Sequence, residues 1–282
     1  MYKIVKKKEL NDAVTLMEVE APFIAKKAQA GQFIIFRTDE FGERIPLTIA
    51  DYDREKGTIT IIFQKVGKST MQLGLMEEGD CILDFVGPLG RPTDFEGIKN
   101  ACVIGGGVGC AIAYPQAKTL HSMGIAVDMI AGFRSKDIVI LEDEMRNATD
   151  NLYITTDDGT YAEKGFVTDK LRQLIESGKK YDTVIAIGPV PMMKFVSLVT
   201  KEFGIKTIVS LNSIMIDGTG MCGGCRVTVD GKTKFACVDG PDFDGHLVDY
   251  DELMNRNTLF REDETEDKNH ICRLTGGVRH HA

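Results

Sequence analysis

The chain has 282 residues, 43% of them apolar and 27% charged, so it is long enough for two packed domains and too ordinary in composition to be disordered or collagen-like. Its formal net charge of -8 argues against nucleic acid as a partner, because binding phosphate requires a strongly positive face. The sequence contains no apolar run of about 20 residues and no signal-peptide pattern, which predicts a cytoplasmic protein without a membrane segment.

The first 97 residues read as short strands in which apolar and polar side chains alternate. YKIVKKKEL, AVTLMEVEA, GQFIIFRTD, IPLTIADYD and GTITIIFQK are separated by turns rather than by long helices. This pattern predicts a small antiparallel barrel. Within it, VGKST places Gly67, Ser69 and Thr70 at the start of a helix, where backbone amides and hydroxyls suit a diphosphate. An ordinary helix cap explains the same three residues.

Residues 98–211 alternate apolar strands with helical stretches, which predicts a parallel sheet covered by helices on both faces. VIGGGVGCA follows a strand and precedes a helix, so the backbone at Gly106, Gly107, Val108 and Gly109 is a candidate to receive a pyrophosphate. Cys110 stands where the G-x-G-x-x-G fingerprint has its last glycine. A tight turn without a ligand is therefore the alternative.

Further candidates lie at other strand ends, where open α/β sheets bind ligands. They are Gly188, Pro189 and Met192 after one strand, Arg134 after a second as a contact for an adenosine phosphate, and Asp157 and Asp158 after a third as acceptors for ribose hydroxyls. Each of these, taken singly, also fits plain turn chemistry. The basic residue favours NADP and the two acidic residues favour NAD, so the sequence leaves this choice open.

The segment IDGTGMCGGCRVTVDGKTKFAC carries three cysteines. Cys222 and Cys225 are two residues apart, and Cys237 follows after a predicted hairpin. Clustered cysteines in a reducing compartment are more often metal ligands than disulfides. The plant-type [2Fe-2S] spacing is C-x4-C-x2-C and a distant cysteine, and Asp217 takes the first place of that spacing. Cys272 is the alternative fourth ligand, and zinc or free thiols are the alternatives to iron.

The order of these motifs resembles the ferredoxin-NADP reductase superfamily over nearly the whole chain, in RIPLT, VGKST, GPLG, GGGVG, IGPVPMM and the cysteine loop. DGTGMCGGCR and DGPDFDGHLVDYDEL are similar to the small subunits of NADH-dependent reduced ferredoxin:NADP oxidoreductases, which are related to the electron-transfer subunit of dihydroorotate dehydrogenase B. The resemblance implies a β-barrel plus α/β fold class with an antiparallel FAD-binding barrel (1–97), an NAD-binding parallel-sheet domain (98–211), a small [2Fe-2S] segment (212–250) and a C-terminal helix or tail in contact with a partner (251–282).

The resemblance also implies residue roles. At the flavin these are Arg44 on the diphosphate, Pro46 and Leu47 against the isoalloxazine and Thr48, the catalytic residue, near N5, with Gly67, Ser69 and Thr70 at the FAD phosphates. Arg44 precedes Thr48 by four residues rather than the family's three, and Leu47 replaces an aromatic residue. Ile187 replaces the cysteine of the family's Cys-Gly-Pro motif, so hydride transfer there depends on stacking and orientation alone.

The function implied by the resemblance is electron transfer. NAD(H) exchanges a hydride with FAD, and single electrons pass through the [2Fe-2S] cluster to a larger partner subunit that carries another FAD and [4Fe-4S] clusters and performs electron bifurcation. One alternative is the electron-transfer subunit of dihydroorotate dehydrogenase B. A remote alternative is a zinc-stabilised nucleotide-binding regulatory module.

Overall fold

The computed structural model describes residues 1–266, which form an antiparallel barrel, an α/β layer and a cysteine-bearing segment. The strands are β1 (Tyr2–Glu9), β2 (Val14–Glu20), β3 (Phe33–Arg37), β4 (Ile45–Asp53), β5 (Thr58–Gln64), β6 (Cys81–Ile82), β7 (Asp84–Leu89), β8 (Asn100–Gly106), β9 (Ala126–Phe133), β10 (Asn151–Thr156), β11 (Glu163–Lys164), β12 (Thr183–Ile187), β13 (Lys206–Ser210), β14 (Arg226–Val229), β15 (Lys232–Phe235) and β16 (Asp242–Asp244). The helices are α1 (Pro22–Ala25), α2 (Lys68–Leu75), α3 (Gly109–Ser122), α4 (Glu142–Asn147), α5 (Val167–Glu176), α6 (Val190–Glu202), α7 (Ala236–Asp239) and α8 (Tyr250–Arg256), with a 3-10 helix at Lys136–Ile138.

The barrel is a seven-stranded antiparallel sheet in the order β6-β1-β2-β5-β4-β3-β7. Its two outermost strands, β6 and β7, are consecutive in the chain, so the sheet nearly closes on itself. Successive side chains along each strand point alternately to the inside and the outside of the barrel, and the inward ones form its core. In β3, Ile34 and Phe36 point into the barrel core, while Phe33 and Ile35 pack on the cysteine segment outside. This outer face of β3 becomes important for the site.

The α/β layer is a second seven-stranded sheet in the order β11-β10-β9-β8-β12-β13-β16. All of its strand pairs are parallel except β13 with β16. The strand order reverses between β8 and β12, which creates a crevice at the carboxyl ends of these two strands. Helices α3 and α4 cover the face of the sheet that meets the barrel, and α5, α6 and α8 cover the other face.

The cysteine segment is built into both layers. The hairpin of β14 and β15 packs beside α8, and β16 adds an antiparallel edge strand to the parallel sheet. Met215, Cys225 and Cys237 pack against Phe33 and Ile35 on the outside of the barrel. The sequence pattern did not predict β16, because its three residues are too few to show an alternation.

The predicted barrel, the predicted parallel sheet and the ferredoxin-NADP reductase-like arrangement are confirmed. The exact domain limits stay a prediction. No helix within residues 1–266 is long and apolar enough to cross a bilayer.

Candidate functional site

The crevice between β8 and β12 brings the two predicted nicotinamide turns into direct contact. A side chain added at Gly109 would lie 2.5 Å from the carbonyl oxygen of Ile187. One added at Gly106 would lie 2.5 Å from Met192 Sδ and 3.1 Å from Pro189 Cδ. Gly109 is therefore needed for two backbones to approach each other closely, and Gly106 leaves room for the side chains of Met192 and Pro189.

Gly107 is the glycine that faces open space. It has a φ of +57°, and within the described part of the chain no atom other than those of its chain neighbours lies within 4 Å of the position where a Cβ would stand. Its amide donates to the carbonyl oxygen of Gly132 at 2.8 Å, so this turn is fixed to the neighbouring strand β9. Gly107 thus leaves room for a ligand beside the first turn of α3, where helix amides favour an anion.

The departure from the dinucleotide fingerprint at Cys110 has a structural explanation. A Cβ at Gly105 would lie 2.7 Å from the Cα of Cys110, so Gly105 provides the close approach of strand and helix that the last fingerprint glycine usually provides. Cys110 is fully buried, and burial raises the pKa of its thiol. This thiol is a packing group and not a nucleophile.

The loops after β9 and β10 lie next to each other at the same edge of the sheet. The amide of Asp157 donates to the carbonyl of Phe133 at 3.0 Å, and that of Asp158 donates to the carbonyl of Arg134 at 3.2 Å. The carboxylate of Asp158 accepts from the hydroxyl and amide of Thr160, and these bonds lower its pKa. Asp158 therefore shapes its own loop, while Asp157 and Arg134 are exposed.

The predicted flavin strand is the first half of β4. Thr48 pairs with Phe33 and Pro46 pairs with Ile35, so both lie on the outer face of the barrel, next to the cysteine segment. Leu47 pairs with Ile34 and packs against the barrel interior. All three are only half-buried in a strand that becomes fully buried at Ile49, which leaves an accessible apolar ledge at the start of β4.

Helix α2 begins beside this ledge. The hydroxyl of Ser69 donates to Glu43 Oε2 at 2.8 Å, and the hydroxyl of Thr70 accepts from the amides of Val66 and Gly67 at 3.1 Å. These hydroxyls are occupied by the chain itself, as the helix-cap alternative expected. A Cβ at Gly67 would meet no atom of residues 1–266 beyond its own turn within 4 Å, so space is open at the N-terminus of α2, and the diphosphate there stays a prediction.

The three cysteines of the loop differ in exposure. Cys225 and Cys237 are buried with their sulfur atoms 3.1 Å apart, while Cys222 is exposed. Burial, with the neighbouring Cys225 thiol, raises the pKa of Cys237 to about 12. The amide of Gly224, then that of Asp217, lowers the pKa of Cys222. Backbone amides therefore already favour a thiolate at Cys222, as expected around a metal-bound sulfur.

Asp217 is folded into its own loop. Its Oδ2 accepts from the hydroxyl of Thr219 at 2.8 Å and from the amides of Thr219 and Met221 at 3.0 and 3.1 Å. These bonds, led by that of the Thr219 hydroxyl, lower the pKa of Asp217. The carboxylate is thus ionised, and groups two and four residues further along the same loop hold it in place. Its role as the fourth ligand stays a prediction, and Cys272 lies outside the described residues.

The cysteine loop is attached to the barrel at two points. The guanidinium of Arg44 donates to the carbonyl of Ile216 at 2.8 Å. A Cβ at Gly218 would lie 2.6 Å from Ile35 Cδ1 and 2.9 Å from Leu89 Cδ1, so the loop lies flat on β3 and β7. Sequence reasoning placed Arg44 on the flavin diphosphate, which stays a prediction. It missed the contact with the loop, because this contact joins residues 172 apart.

The residues fit the three groups that the sequence suggests. Open glycine positions lie at the start of α2 and of α3, an apolar ledge lies at the start of β4, and three sulfur donors with loop amides lie beside that ledge. Within residues 1–266, no three metal-binding side chains are gathered as in a filled site. Soft sulfur donors in this spacing suit iron or zinc, and one carboxylate among them is a harder ligand for the same metals.

The fold, the nucleotide crevice and the cysteine loop together define the class of this protein, which is a flavin and iron–sulfur oxidoreductase subunit. Residues 212–249 match the iron-sulfur cluster binding domain of dihydroorotate dehydrogenase B. The chain also matches a solved structure of the NADH-dependent reduced ferredoxin-NADP oxidoreductase, described for flavin-based electron bifurcation, with a TM-score of 0.91 and 46% identity over 96% of this chain and 98% of that chain.

Two relatives extend the comparison. A Clostridium beijerinckii protein described as an uncharacterized protein in adh 3'region is 59% identical over 94% of this chain and 92% of the relative. A Thermotoga maritima homolog of the electron transfer subunit of dihydroorotate dehydrogenase B (NAD(+)) is 48% identical over 94% of this chain and 93% of the relative. The chain belongs to the family of dihydroorotate dehydrogenase B electron transfer subunits and their homologs. The predicted resemblance, the oxidoreductase class and the cofactors FAD, [2Fe-2S] and NAD(H) are confirmed.

Proposed function

We propose that this chain exchanges a hydride between NAD(H) and FAD and passes single electrons through a [2Fe-2S] cluster to a larger subunit that carries flavin and [4Fe-4S] clusters. The complete enzyme is then an electron-bifurcating NADH-dependent ferredoxin:NADP oxidoreductase. The similarity to the solved enzyme of that name over 96% of this chain supports the proposal.

One observation carries the electron path. Thr48 on the flavin strand and the cysteine pair Cys225 and Cys237 all lie against the outer face of β3. Phe33 and Ile35 form this face, and Phe33 both pairs with Thr48 and packs in one cluster with the two cysteines. Single electrons tunnel readily over short protein distances. A flavin and a cluster that both lie on this face of β3 are therefore placed to exchange them.

The residues of the chain have separate tasks in this scheme. Bound FAD supplies the exchange between hydride and single electrons, and the bound cluster supplies one-electron transfer. The turn at residues 105–109 binds the nucleotide, and Met192 limits the width of the crevice beside Gly106. Thr48 would hold a hydrogen bond at the flavin edge. Asp217, Cys222, Cys225 and Cys237 would hold the iron.

We propose that Asp157 makes the chain prefer NAD(H) over NADP(H). Asp157 is exposed beside Arg134 at the end of the sheet where the adenosine ribose would lie, and its carboxylate accepts hydrogen bonds from ribose hydroxyls but repels a phosphate. Comparable turnover with NADPH in a steady-state comparison would overturn this choice, and Asp157→Asn should narrow the difference between the two nucleotides.

The test of the function uses the full chain purified without oxygen with its cofactors. Iron, sulfide, zinc and flavin are measured first, and NADH is then added while the visible spectrum is followed. We expect iron and flavin without zinc, and rapid bleaching of the flavin. A flavin that keeps its colour with excess NADH would refute the hydride step.

The rival function is electron transfer to a dihydroorotate-oxidising partner, which the name of the Thermotoga relative favours. The partner distinguishes the two. Copurification from the native cell with a subunit that carries [4Fe-4S] clusters supports the proposal, while copurification with a dihydroorotate-oxidising flavoprotein supports the rival.

A further inference from the structure

A half-buried acid, Asp242, whose carboxylate atom Oδ1 is enclosed, lies where the barrel, the α/β layer and the cysteine segment meet. Asp242 on β16 accepts a hydrogen bond at Oδ2 from the hydroxyl of Thr93, in the segment that leaves the barrel. The same oxygen lies 3.2 Å from the position where a Cβ of Gly31 would stand. Asp242 also pairs with Ser210 of β13. We call Gly31, Thr93, Gln116, Ser210 and Asp242 the three-way junction.

The junction contains polar atoms without partners. Asp242 Oδ1 is buried with no hydrogen-bond partner among the described residues. Gln116 of α3 is completely buried beside it, and its amide and the hydroxyl of Ser210 lie near enough to lower the pKa of Asp242 against the rise that burial causes. Neither the amide oxygen nor the amide nitrogen of Gln116 makes a well-aligned hydrogen bond within that same part of the chain. Buried polar groups without partners are rare and destabilising, so a cluster of three in one place calls for a function or for bound water.

The groups around Asp242 are neutral. Charged side chains on the adjoining segments are directed to other partners: Arg91 donates to the carbonyl of Val238, Asp94 accepts from the amide of Glu96, Lys118 pairs with Asp51, and Asp244 accepts from the amide of His246. Without a cation to balance it, an ionised carboxylate at this place is unfavourable.

The junction lies directly behind the proposed electron path. Gly31 is two residues before Phe33, which pairs with Thr48 of the flavin strand. A Cβ at Gly90 would lie 2.8 Å from Phe33 Cε1 and 2.9 Å from Pro241 Cδ, so Phe33 and the residue before Asp242 pack on the same glycine. On the other side, Gln116 belongs to α3, the helix that starts at the nicotinamide turn.

We propose that Asp242 is a positioning residue: its neutral carboxyl joins the barrel, the α/β layer and the cysteine segment, and its ionisation loosens this junction. The kinetic part of this inference rests on the proposed function, because a looser junction changes the distance between the nicotinamide crevice and the flavin strand. A misplacement of about 1 Å is enough to slow a hydride transfer strongly.

The sign of the pH effect follows from the environment. Burial raises the pKa of Asp242 from 3.8 to about 6. The folded chain therefore binds this proton more tightly than the unfolded chain, and the stability that the proton contributes is complete below about pH 4 and is lost as the pH rises through about 6. The three-way junction therefore contributes more to the stability of the fold in mild acid than above neutral pH.

The test compares the holoprotein with Asp242→Asn, which keeps the acceptor for Thr93 and has no charge at any pH. Asp94→Asn is the matched control, since Asp94 is an exposed acid one residue from Thr93. Melting temperature and the rate of flavin reduction by NADH are measured between pH 5 and pH 8. We expect the melting temperature of wild type and Asp94→Asn to fall by about 5 °C relative to Asp242→Asn over this range.

The rate of flavin reduction by NADH is expected to fall with rising pH together with the melting temperature. The ratio of the flavin reduction rates at pH 6 and pH 8 should be about threefold larger in wild type than in Asp242→Asn. Parallel pH profiles of all three proteins, in melting temperature and in rate, would overturn the inference.

If Asp242→Asn does not fold, the infrared band of a protonated carboxyl is followed in wild type, with Thr93→Val for comparison. The absence of this band at pH 5 overturns the inference. Failure of NADH to bleach any of the three proteins counts against the proposed function instead, because the melting curves still report on the junction.

Discussion

The nicotinamide crevice and the cysteine loop are built in opposite ways. The crevice consists of the ends of β8 and β12, where Gly109 lets one backbone touch another. The cysteine loop has no regular structure between residues 216 and 225, and three of its glycines adopt positive φ. Sheet hydrogen bonds fix the first site, whereas side chains fix the second: the carboxylate of Asp217, the guanidinium groups of Arg44 and Arg256, and packing against the barrel. Substitutions in the crevice should therefore act by crowding the bound nucleotide, and substitutions in the loop should act by detaching the loop from the barrel.

The largest effect is expected from removing a buried ligand. Cys237→Ser replaces a thiol that packs beside Cys225 and Ile35, so both a sulfur donor and part of the contact with the barrel are lost. We expect iron and sulfide to fall about tenfold or more while FAD is retained, because the barrel does not depend on this side chain. Iron, sulfide and flavin analysis measures the outcome.

Cys81→Ser is the control for that substitution, since Cys81 is an exposed thiol on β6. It should leave the iron content unchanged. Full iron content in Cys237→Ser would show that this cysteine is not a ligand and that the loop does not hold the cluster as proposed.

A smaller effect is expected from lifting the loop off the barrel. Gly218→Ala places a methyl group against Ile35 and Leu89 and also strains a φ of +82°. Gly231→Ala strains a φ of +67° in the β14–β15 hairpin, where a methyl group would contact none of residues 1–266 outside its own turn, so it is the matched control for backbone strain. We expect a cost of about 1 kcal/mol in the control and about 2–4 kcal/mol in Gly218→Ala.

Electron transfer separates these two variants further. Stopped-flow spectra should show slower reduction of the cluster after flavin bleaching in Gly218→Ala and an unchanged rate in Gly231→Ala. Equal rates in both variants would mean that the contact of the loop with β3 does not set the distance between the flavin and the cluster.

The smallest effect is expected from crowding the crevice. Gly106→Ala places a methyl group 2.5 Å from Met192 Sδ, but the end of a methionine side chain moves easily. We expect the KM for NADH to rise about tenfold with little change in melting temperature. The double variant Gly106→Ala, Met192→Ala should recover most of the affinity. Gly124→Ala, beyond the end of α3, should leave the KM unchanged and lower the melting temperature only through the strain of its φ of +78°. No recovery in the double variant would exclude crowding by Met192.

The comparison also explains what the sequence was able to predict. The crevice follows from local patterns, since each strand, turn and helix is contiguous in the chain and the order of βα units places strand ends together. Gly106, Gly109, Gly188 and Pro189 were found in this way. The hydroxyls of Ser69 and Thr70, by contrast, are used within the chain, because the same residue types serve as helix caps and as phosphate contacts.

The features that escaped prediction depend on residues far apart in the chain. The bond from Arg44 to Ile216, the packing of Gly218 on Ile35 and the junction at Asp242 each join two segments that only the folded chain brings together. Asp242 carries no sequence signal, since an acid in an acidic, glycine-rich stretch reads as a surface turn. Its burial and its partner Thr93 emerge only from the structure.

The central claim is that the flavin strand and the cysteine loop share the outer face of β3, so that electrons from NADH reach the cluster within this chain. The most direct measurement is freeze-quenched electron paramagnetic resonance of the full chain with its cofactors, mixed with NADH without oxygen. The account predicts the signal of a reduced [2Fe-2S] cluster soon after the flavin bleaches. A bleached flavin beside a cluster that stays oxidised, although a redox titration shows that it accepts electrons at the potential of that flavin, would contradict the account.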